Sequence, residues 1–288
     1  MGATPVLGMR DTPGEFATAP STQGQAHIRP VHFWVAARLA LEGGFRPEEI
    51  TPRPPFRSVR RRGKSLLLSA PEAATRSELT IVGGLKSKTV DVAVCKEGVG
   101  PVLCVSVKGT CNAFRNLTNR MEEAIGDCTN VHLMYPGVVF GFLHLLRENA
   151  EAQAGIAGDD ICLRATGEPV VSVVRYHQLL ADLAGRKFIR NAVSSYEAIG
   201  LMVVGTSPDR FGELLDCFPP PDSPVHWRGF FDRLYEVYDL RYPFRNPSVR
   251  GLERVVWDAD SPAFGDLREA LGDEWQCALG YEPRTRRP

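Results

Sequence analysis

The sequence predicts an α/β fold with a central mixed β-sheet flanked by helices. Residues 89–95 (TVDVAVC) place a valine at every second position, which is the period of a β-strand. Residues 101–108 (PVLCVSVK) predict a second strand, and the turn-like residues 96–100 between them predict a β-hairpin. Residues 113–125 follow with apolar side chains at helical spacing. A compact α/β region is therefore expected over residues 66–148.

The residues before this region predict a tail, a helix and a linker. Residues 1–28 are rich in Gly, Thr, Pro, Ser and Ala without apolar periodicity, which predicts a disordered N-terminal tail. Residues 31–41 have apolar side chains at helical spacing and end near a Gly-Gly pair. Residues 51–64 are rich in Pro and Arg and predict a linker. We expect residues 29–288 to form a single domain.

The rest of the chain continues in the same style. Apolar runs predict a strand over residues 198–204, and aromatic residues at helical spacing predict an amphipathic helix over 227–238. The remaining assignments are strands over 79–83, 131–135 and 170–174, and helices over 137–149, 176–183 and 210–217.

Composition gives no global argument for binding to nucleic acid. The chain of 288 residues has 34 Lys and Arg against 34 Asp and Glu, so its formal net charge is zero. The charge is uneven, however, because residues 46–64 carry seven basic side chains and two glutamates. A local basic patch can bind phosphate on a neutral protein. Arg60, Arg61, Arg62 and Lys64 are therefore candidate DNA-backbone contacts, with a solvated loop as the alternative.

Seven cysteines, without a CxxC spacing, indicate reduced thiols and a cytoplasmic protein. The start of the sequence lacks a charged segment followed by an apolar run, so no signal peptide is expected. No apolar run is long enough to span a membrane. Two alternatives use thiols, namely a zinc site and a cysteine nucleophile beside a histidine, but small buried thiols are the favoured interpretation. The residues concerned are Cys104, Cys111, Cys128 and His132, with Cys111 and His132 as the nucleophilic pair.

The predicted hairpin brings chemically useful side chains together. If Cys95 faces Val102, then Asp91 lies opposite Ser106. Lys108 follows on the same face of the second strand, so a carboxylate, a hydroxyl and an ammonium form one cluster. A slip of one residue would separate them.

Such a cluster suits phosphodiester hydrolysis. This reaction needs a hard cation to polarise a phosphoryl oxygen and to lower the pKa of an attacking water. Mg²⁺ prefers one or two carboxylates together with water and phosphate oxygens. Asp91 is the expected metal ligand, and Lys108 is expected to position the water and stabilise developing negative charge.

The arrangement resembles the PD-(D/E)XK nuclease core, in which an Asp on one strand is followed by (D/E)-x-K on the next. Here the matching residues are Asp91 and Ser106-Val107-Lys108. Ser106 replaces the usual second acid, as in a branch of restriction enzymes that takes this acid from the following helix. The gap between Asp91 and Ser106 is shorter than in that branch. The resemblance implies a restriction-endonuclease-like core, with the catalytic part over residues 66–150.

The same resemblance implies that Glu122 or Glu123 is the second metal ligand. Glu72, Glu78 and Asp127 remain open as other sources of that acid. The helix carrying the two glutamates also has a polar surface that is expected to contact phosphates or bases, with a solvated helix stabilised by Arg–Glu pairs as the alternative. The side chains of this surface are Asn112, Arg115, Asn116, Asn119 and Arg120.

The sequence and this resemblance together predict a Mg²⁺-dependent DNA endonuclease, most simply a type II restriction enzyme. The resemblance implies double-stranded DNA as substrate, a homodimer and a cognate DNA methyltransferase encoded nearby. Three alternatives stay open. They are a repair or recombination nuclease with the same core, a non-catalytic DNA-binding protein with this fold, and an unrelated α/β enzyme that uses a cysteine.

Overall fold

A five-stranded mixed sheet lies at the centre of the computed structural model, which describes residues 11–19, 26–112, 114–151 and 153–286, without the side chains of residues 11 and 115. The strand order is β1-β6-β7-β8-β9. The pairs β1/β6 and β6/β7 are antiparallel, whereas β7/β8 and β8/β9 are parallel. Two separate hairpins are formed by β2/β3 and β4/β5. The strands are β1 (Ile50–Thr51), β2 (Phe56–Arg61), β3 (Lys64–Ser69), β4 (Leu79–Ile81), β5 (Lys88–Val90), β6 (Val92–Lys96), β7 (Gly100–Thr110), β8 (Val139–Arg147) and β9 (Ala198–Val204).

Helices cover both faces of this sheet, as predicted for an α/β fold. On one face α2 and α5 pack with Val92, Val105 and Val107, and on the other face α3 and α4 pack with Ala93 and Cys104. The helices are α1 (Asp11–Thr18), α2 (Arg29–Leu41), α3 (Leu117–Met134), α4 (Val171–Leu183), α5 (Phe230–Asp239), α6 (Pro262–Leu271) and α7 (Trp275–Leu279).

Several predicted elements are confirmed. The hairpin over residues 89–108 corresponds to β6 and β7, and the strands over 79–83 and 198–204 correspond to β4 and β9. The helices over 31–41, 113–125, 176–183 and 227–238 correspond to α2, α3, α4 and α5, although α3 and α5 each begin after a short 3₁₀ turn.

Other assignments are wrong. Residues 137–149 form strand β8, in which eight of the nine residues are buried. A strand buried on both faces shows no alternation, so periodicity cannot separate it from a helix. Residues 131–135 and 170–174, predicted as strands, belong to the ends of α3 and α4 because their apolar side chains continue the helical stripes. Residues 210–217 form turns and not a helix.

The chain before β4 is more ordered than predicted. Residues 51–64 are not a linker, because β2 and β3 form a hairpin whose turn is made by Arg62 and Gly63 at φ 50° and 78°. The expected disordered tail is wrong for α1, since Phe16 is fully buried. The Arg147 guanidinium donates hydrogen bonds to the carbonyl oxygens of Phe16 and Ala19. The rest of the tail prediction, over residues 1–10 and 20–25, lies outside the described residues.

Within the described residues, no helix has the length and apolar character needed to cross a membrane.

Candidate functional site

Asp91 lies where the chain changes its strand partner. Strand β5 ends at Val90 and pairs with β4, whereas β6 begins at Val92 and pairs with β7. The carboxylate of Asp91, between the two strands, turns toward β7. Its Oδ2 accepts hydrogen bonds from the backbone N–H of Val107 at 2.8 Å and from the Ser106 hydroxyl at 3.2 Å. These two bonds hold Asp91 in one orientation.

The hairpin register predicted for this end is confirmed. Val92 faces Val105 and Ala93 faces Cys104, which leaves Asp91 opposite Ser106 as expected. The register shifts between Val94 and Cys95, so Cys95 faces Pro101 and not Val102. A bulge at the turn therefore changes the predicted pairing there without disturbing it near Asp91.

Lys108 extends the cluster toward solvent. Its Nζ lies 3.8 Å from Asp91 Oδ2, and its side chain is 28% exposed. Asp91 itself is buried. The ammonium group is therefore anchored beside the carboxylate while remaining accessible to a ligand.

Two side chains from outside the hairpin complete the cluster. Helix α2 brings His32 so that its Nε2 lies 4.0 Å from Asp91 Oδ1. Glu78, just before β4, places its Oε1 3.8 Å from His32 Nδ1. One ligand atom from each of His32, Glu78 and Asp91 lies within 4.8 Å of the others. Among the described residues, this is the cluster of three or more side chains that could hold a metal ion.

The unsatisfied atoms of this cluster favour a cation. His32 Nε2 and Glu78 Oε1 are buried and have no hydrogen-bond partner among the described residues. A buried polar atom without a partner costs about 1–3 kcal/mol. A cation between the imidazole and the two carboxylates would satisfy both atoms. The donor set therefore fits a divalent metal ion.

The protonation state of His32 is suitable for this role. Burial lowers the pKa of His32, and the nearby Lys108 and Arg29 lower it further, while Asp91 and Glu78 oppose the shift. The lowered pKa leaves the imidazole neutral at pH 7, and the neutral form is the one that binds metals.

The two helix glutamates predicted as metal ligands are not in this cluster. Glu122 is exposed on α3. Glu123 forms an ion pair with Arg120 at 2.9 Å, with both side chains more than 40% exposed. Partial burial opposes ionisation of Glu123, but the Arg120 hydrogen bond and the charge of Lys108 lower its pKa. Glu123 thus lies within electrostatic reach of the site, whereas Glu78 supplies the second carboxylate next to His32.

The other open sources of a second acid are placed elsewhere. Glu72 is exposed on a 3₁₀ turn (Pro71–Ala73). Asp127 is buried but forms an ion pair with Lys88. Of the upstream acids, Glu78 is the one that reaches Asp91 and His32.

The predicted DNA-contacting residues fall into two separate regions. On the first turns of α3 and just before it, Asn112, Asn116, Asn119 and Arg120 are exposed. The side chain of Arg115 lies outside the described residues. On the β2–β3 hairpin, Arg60, Arg61 and Arg62 are exposed. Lys64 is held by Asp258 at 3.1 Å and Asp260 at 3.5 Å, so much of its charge is neutralised.

The thiol alternatives find little support in this structure. Cys104, Cys111 and Cys128 are buried, and burial raises the pKa of each thiol. The ring of His132 contacts Cys128, with Nδ1 at 3.4 Å from Sγ, and also lies 3.3 Å from the Glu197 carboxylate. None of these residues belongs to the metal-ligand cluster found among the described residues.

Sequence reasoning missed His32. It occupies an apolar helix in which every residue from Val31 to Leu41 except Phe33 is buried. A histidine in such a stretch is indistinguishable by pattern from a structural core residue. Glu78 was one of several open candidates, and nothing in its local sequence distinguishes it from Glu72.

Comparisons of the chain with protein-family models, with curated proteins and with solved structures gave no match.

Proposed function

We propose that this protein is a metal-dependent nuclease that hydrolyses phosphodiester bonds of double-stranded DNA. The observation that carries the proposal is the buried His32–Glu78–Asp91 cluster with Lys108 beside it on β7. Three metal-ligand side chains next to an accessible ammonium group suit phosphoryl chemistry, which is promoted by a bound metal ion and by cations near the developing charge.

The metal would be held by Asp91, Glu78 and His32. When bound, it would supply Lewis-acid polarisation of a phosphoryl oxygen and a water with a lowered pKa. The resemblance to the PD-(D/E)XK enzymes implies Mg²⁺. The imidazole among the ligands favours Mn²⁺ over Mg²⁺, because Mg²⁺ is bound in proteins mainly by oxygen atoms.

The protein side chains around this cluster have distinct tasks. Lys108 is placed to bind a phosphate oxygen or a water and to stabilise negative charge that develops during hydrolysis. Ser106 does not contact solvent, being 2% exposed, and it orients Asp91 through its hydroxyl. Ser106 is thus a positioning residue, although it occupies the place where the related pattern carries an acid.

DNA as the substrate, rather than a small phosphodiester, is supported by the exposed polar surface at the start of α3. Arg120 on this surface lies within electrostatic reach of His27, which packs over Gly109, the residue after Lys108. The finer proposal, a type II restriction enzyme that acts as a homodimer beside a cognate methyltransferase, rests on the resemblance alone.

The test is a cleavage assay on unmethylated plasmid and phage DNA with Mg²⁺ or Mn²⁺. The wild type is compared with Asp91→Asn, Lys108→Ala, Glu78→Gln and His32→Gln, and Glu122→Gln serves as the matched control on α3. We expect discrete fragments from the wild type and from Glu122→Gln, and their loss in the other four variants and in EDTA.

Metal binding is measured separately, by calorimetric titration with Mn²⁺. Loss of binding in His32→Gln and Glu78→Gln with normal binding in Glu122→Gln would support the cluster. If Glu122→Gln loses metal and activity while Glu78→Gln keeps both, the assignment of the second acid is refuted. A wild type that binds DNA but never cleaves it would instead favour the non-catalytic DNA-binding alternative.

A further inference from the structure

An open groove of about 620 Å³ lies away from the metal-ligand cluster. It is formed by four segments that are distant in sequence, namely residue 46, residues 60–65, residues 250–256 and residue 286. The charged side chains that line it are Arg46, Arg60, Arg250, Arg254, Arg286 and Glu253.

Backbone hydrogen bonds hold these segments together. The N–H of Val255 donates to Gly44 at 2.6 Å, and the N–H of Asp258 donates to Ser65 at 2.8 Å. The N–H of Trp257 donates to Arg284 at 2.8 Å. Gly44, at φ 69°, allows the closest of these approaches, because a Cβ there would lie 2.2 Å from the Val255 oxygen. The walls of the groove are therefore held in place by backbone hydrogen bonds between these segments.

The groove has an excess of uncompensated positive charge. Arg254 is held by the Asp239 carboxylate through bonds of 2.9 and 2.7 Å. Arg46, Arg60, Arg250 and Arg286 are exposed, and none of these four forms an ion pair with another described residue. Glu253 is the acid that faces them across the groove. Arg286 also lies within electrostatic reach of Asp258, and the Glu49 carboxylate accepts from the Arg46 N–H. Guanidinium groups still outnumber carboxylates along the groove, and this excess attracts a polyanion.

The lining points to a phosphate backbone and not to a free nucleotide. A nucleotide pocket usually offers an apolar or aromatic surface for the base. None of the described residues that line the groove is aromatic. Guanidinium groups bind phosphate oxygens through paired N–H donors, so the groove suits a chain of phosphates.

The groove lies at the opposite end of the hairpin from Asp91. Lys96, the last residue of β6, is within electrostatic reach of Arg46 and Glu253. Asp91 immediately precedes the first residue of β6. Five residues of extended strand span about 17 Å. This is the rise of about five base pairs of duplex DNA.

We propose that this arginine groove binds the phosphate backbone of the same duplex DNA, several base pairs from the scissile phosphate. The inference rests on the proposed nuclease function, because that function supplies the duplex. It adds a second contact region, made by Arg46, Arg60, Arg250 and Arg286, to the one near Lys108.

The test measures DNA binding without cleavage, by fluorescence anisotropy with a duplex of about three helical turns in EDTA. The variants are Arg60→Ala and Arg250→Ala, alone and together, and Arg175→Ala on exposed α4 is the matched control. Each lost phosphate contact should weaken binding roughly eightfold at 0.1 M salt and reduce the salt-dependence slope by about 0.9. Glu253→Gln should strengthen binding, because it removes the opposing charge. Circular dichroism verifies that every variant is folded.

Groove variants that bind DNA as tightly as the wild type and as Arg175→Ala would overturn the inference. An equal loss of DNA affinity in all variants, including Arg175→Ala, would also overturn the inference. Because the assay contains no divalent metal, its outcome is independent of hydrolysis. A wild type that binds through the groove but does not cleave DNA refutes the nuclease proposal alone, whereas cleavage with unaffected groove variants refutes the groove alone.

Discussion

Two buried acidic clusters in this protein differ in how their negative charge is balanced. Glu197 is fully buried, and it accepts bonds from Arg186 at 2.5 Å, from Arg241 at 2.8 Å and from the Phe140 N–H at 2.8 Å. The Asp91 cluster has two carboxylates and a histidine, and the nearest ammonium, that of Lys108, lies 3.8 Å away and partly exposed.

The two clusters differ in how far their charge is neutralised from within the fold. Burial opposes the ionisation of Glu197, but His132 and the charge of Arg241 lower its pKa, so its charge is balanced from within the fold. Buried atoms without a hydrogen-bond partner occur in both clusters, namely His32 Nε2 and Glu78 Oε1 beside Asp91, and His132 Nε2 and Arg186 Nε beside Glu197. The Asp91 cluster differs in its cations, because Lys108 approaches no nearer than 3.8 Å, whereas two guanidinium groups bond directly to Glu197. A buried acid that is paired with cations of the fold is costly to unpair, whereas a buried acid with few cations beside it is suited to bind a metal ion.

The largest expected effect is on Glu197. Glu197→Gln leaves Arg186 and Arg241 as buried cations without a counter-charge. Breaking a buried ion pair in this way costs about 3–5 kcal/mol. Urea unfolding should show that loss, while Mn²⁺ affinity in the folded protein stays the same. A decrease of less than about 1 kcal/mol in the free energy of unfolding would show that the ion pairs of Glu197 contribute little to stability.

The second effect is metal-linked stability. Mn²⁺ at about one hundred times its Kd should raise the free energy of unfolding by about 2.7 kcal/mol, because the folded state alone presents the cluster. Asp91→Asn should abolish this increase with little change in the metal-free stability, since the amide still accepts from the Val107 N–H. Thermal unfolding with and without Mn²⁺ measures both quantities. An equal metal effect in the variant would show that the ion binds elsewhere.

A third buried group, His144, makes its side-chain hydrogen bonds with hydroxyl groups and not with a charged partner. Burial lowers the pKa of His144 to about 3, with smaller contributions from Arg120 and Lys108. Thr110 Oγ1 and Tyr176 Oη lie 2.9 and 2.5 Å from its two ring nitrogens. It is therefore a hydrogen-bonded neutral side chain in the folded state.

This lowered pKa predicts acid destabilisation. Between pH 6.5 and about 3 the unfolded chain binds a proton on His144 that the folded state does not, so stability falls as the pH falls through this window. The slope is up to about 1.4 kcal/mol per pH unit. Denaturant unfolding of the wild type and of His144→Gln at several pH values measures this contribution. His177→Gln, at a partly buried histidine whose pKa burial also lowers, is the comparison and should change the slope less. Equal slopes in the wild type and in His144→Gln would contradict the prediction.

The smallest effect concerns Glu123, one of the two α3 glutamates that the resemblance implied as second metal ligand. Glu123→Gln breaks an exposed ion pair with Arg120, which costs about 0–1 kcal/mol. Mn²⁺ affinity should change far less than in Glu78→Gln, since Glu123 lies outside the ligand cluster. Calorimetric titration of the two variants side by side decides between them. A larger loss of Mn²⁺ affinity in Glu123→Gln than in Glu78→Gln would show that the metal binds at α3 and not at the His32–Glu78–Asp91 cluster.

The sequence predicted the site unevenly. Asp91, Ser106 and Lys108 were found because a hairpin is local, and its strand period fixes which side chains share a face. His32 was missed and Glu78 left open because neither is linked to Asp91 by a local pattern. Their approach depends on how α2 and the segment before β4 pack beside β6.

The fold shows the same division. Helix α5 was predicted because one of its faces meets solvent and the other the core. Strand β6 was predicted from its alternating residue types, although both of its faces are buried. Strand β8 was assigned as a helix because both of its faces are buried. The Pro- and Arg-rich segment was assigned as a linker, although β2 and β3 pair there and Leu67 is buried.

By itself, the sequence determined the α/β class, the hairpin and its register at Asp91, because these depend on interactions between neighbours in the chain. Only the tertiary structure decided which acid accompanies Asp91, that a histidine joins them, and that four distant segments form an arginine groove. Those outcomes depend on contacts between residues far apart in sequence. Such contacts are fixed by the packing of whole elements and not by the pattern within any one of them.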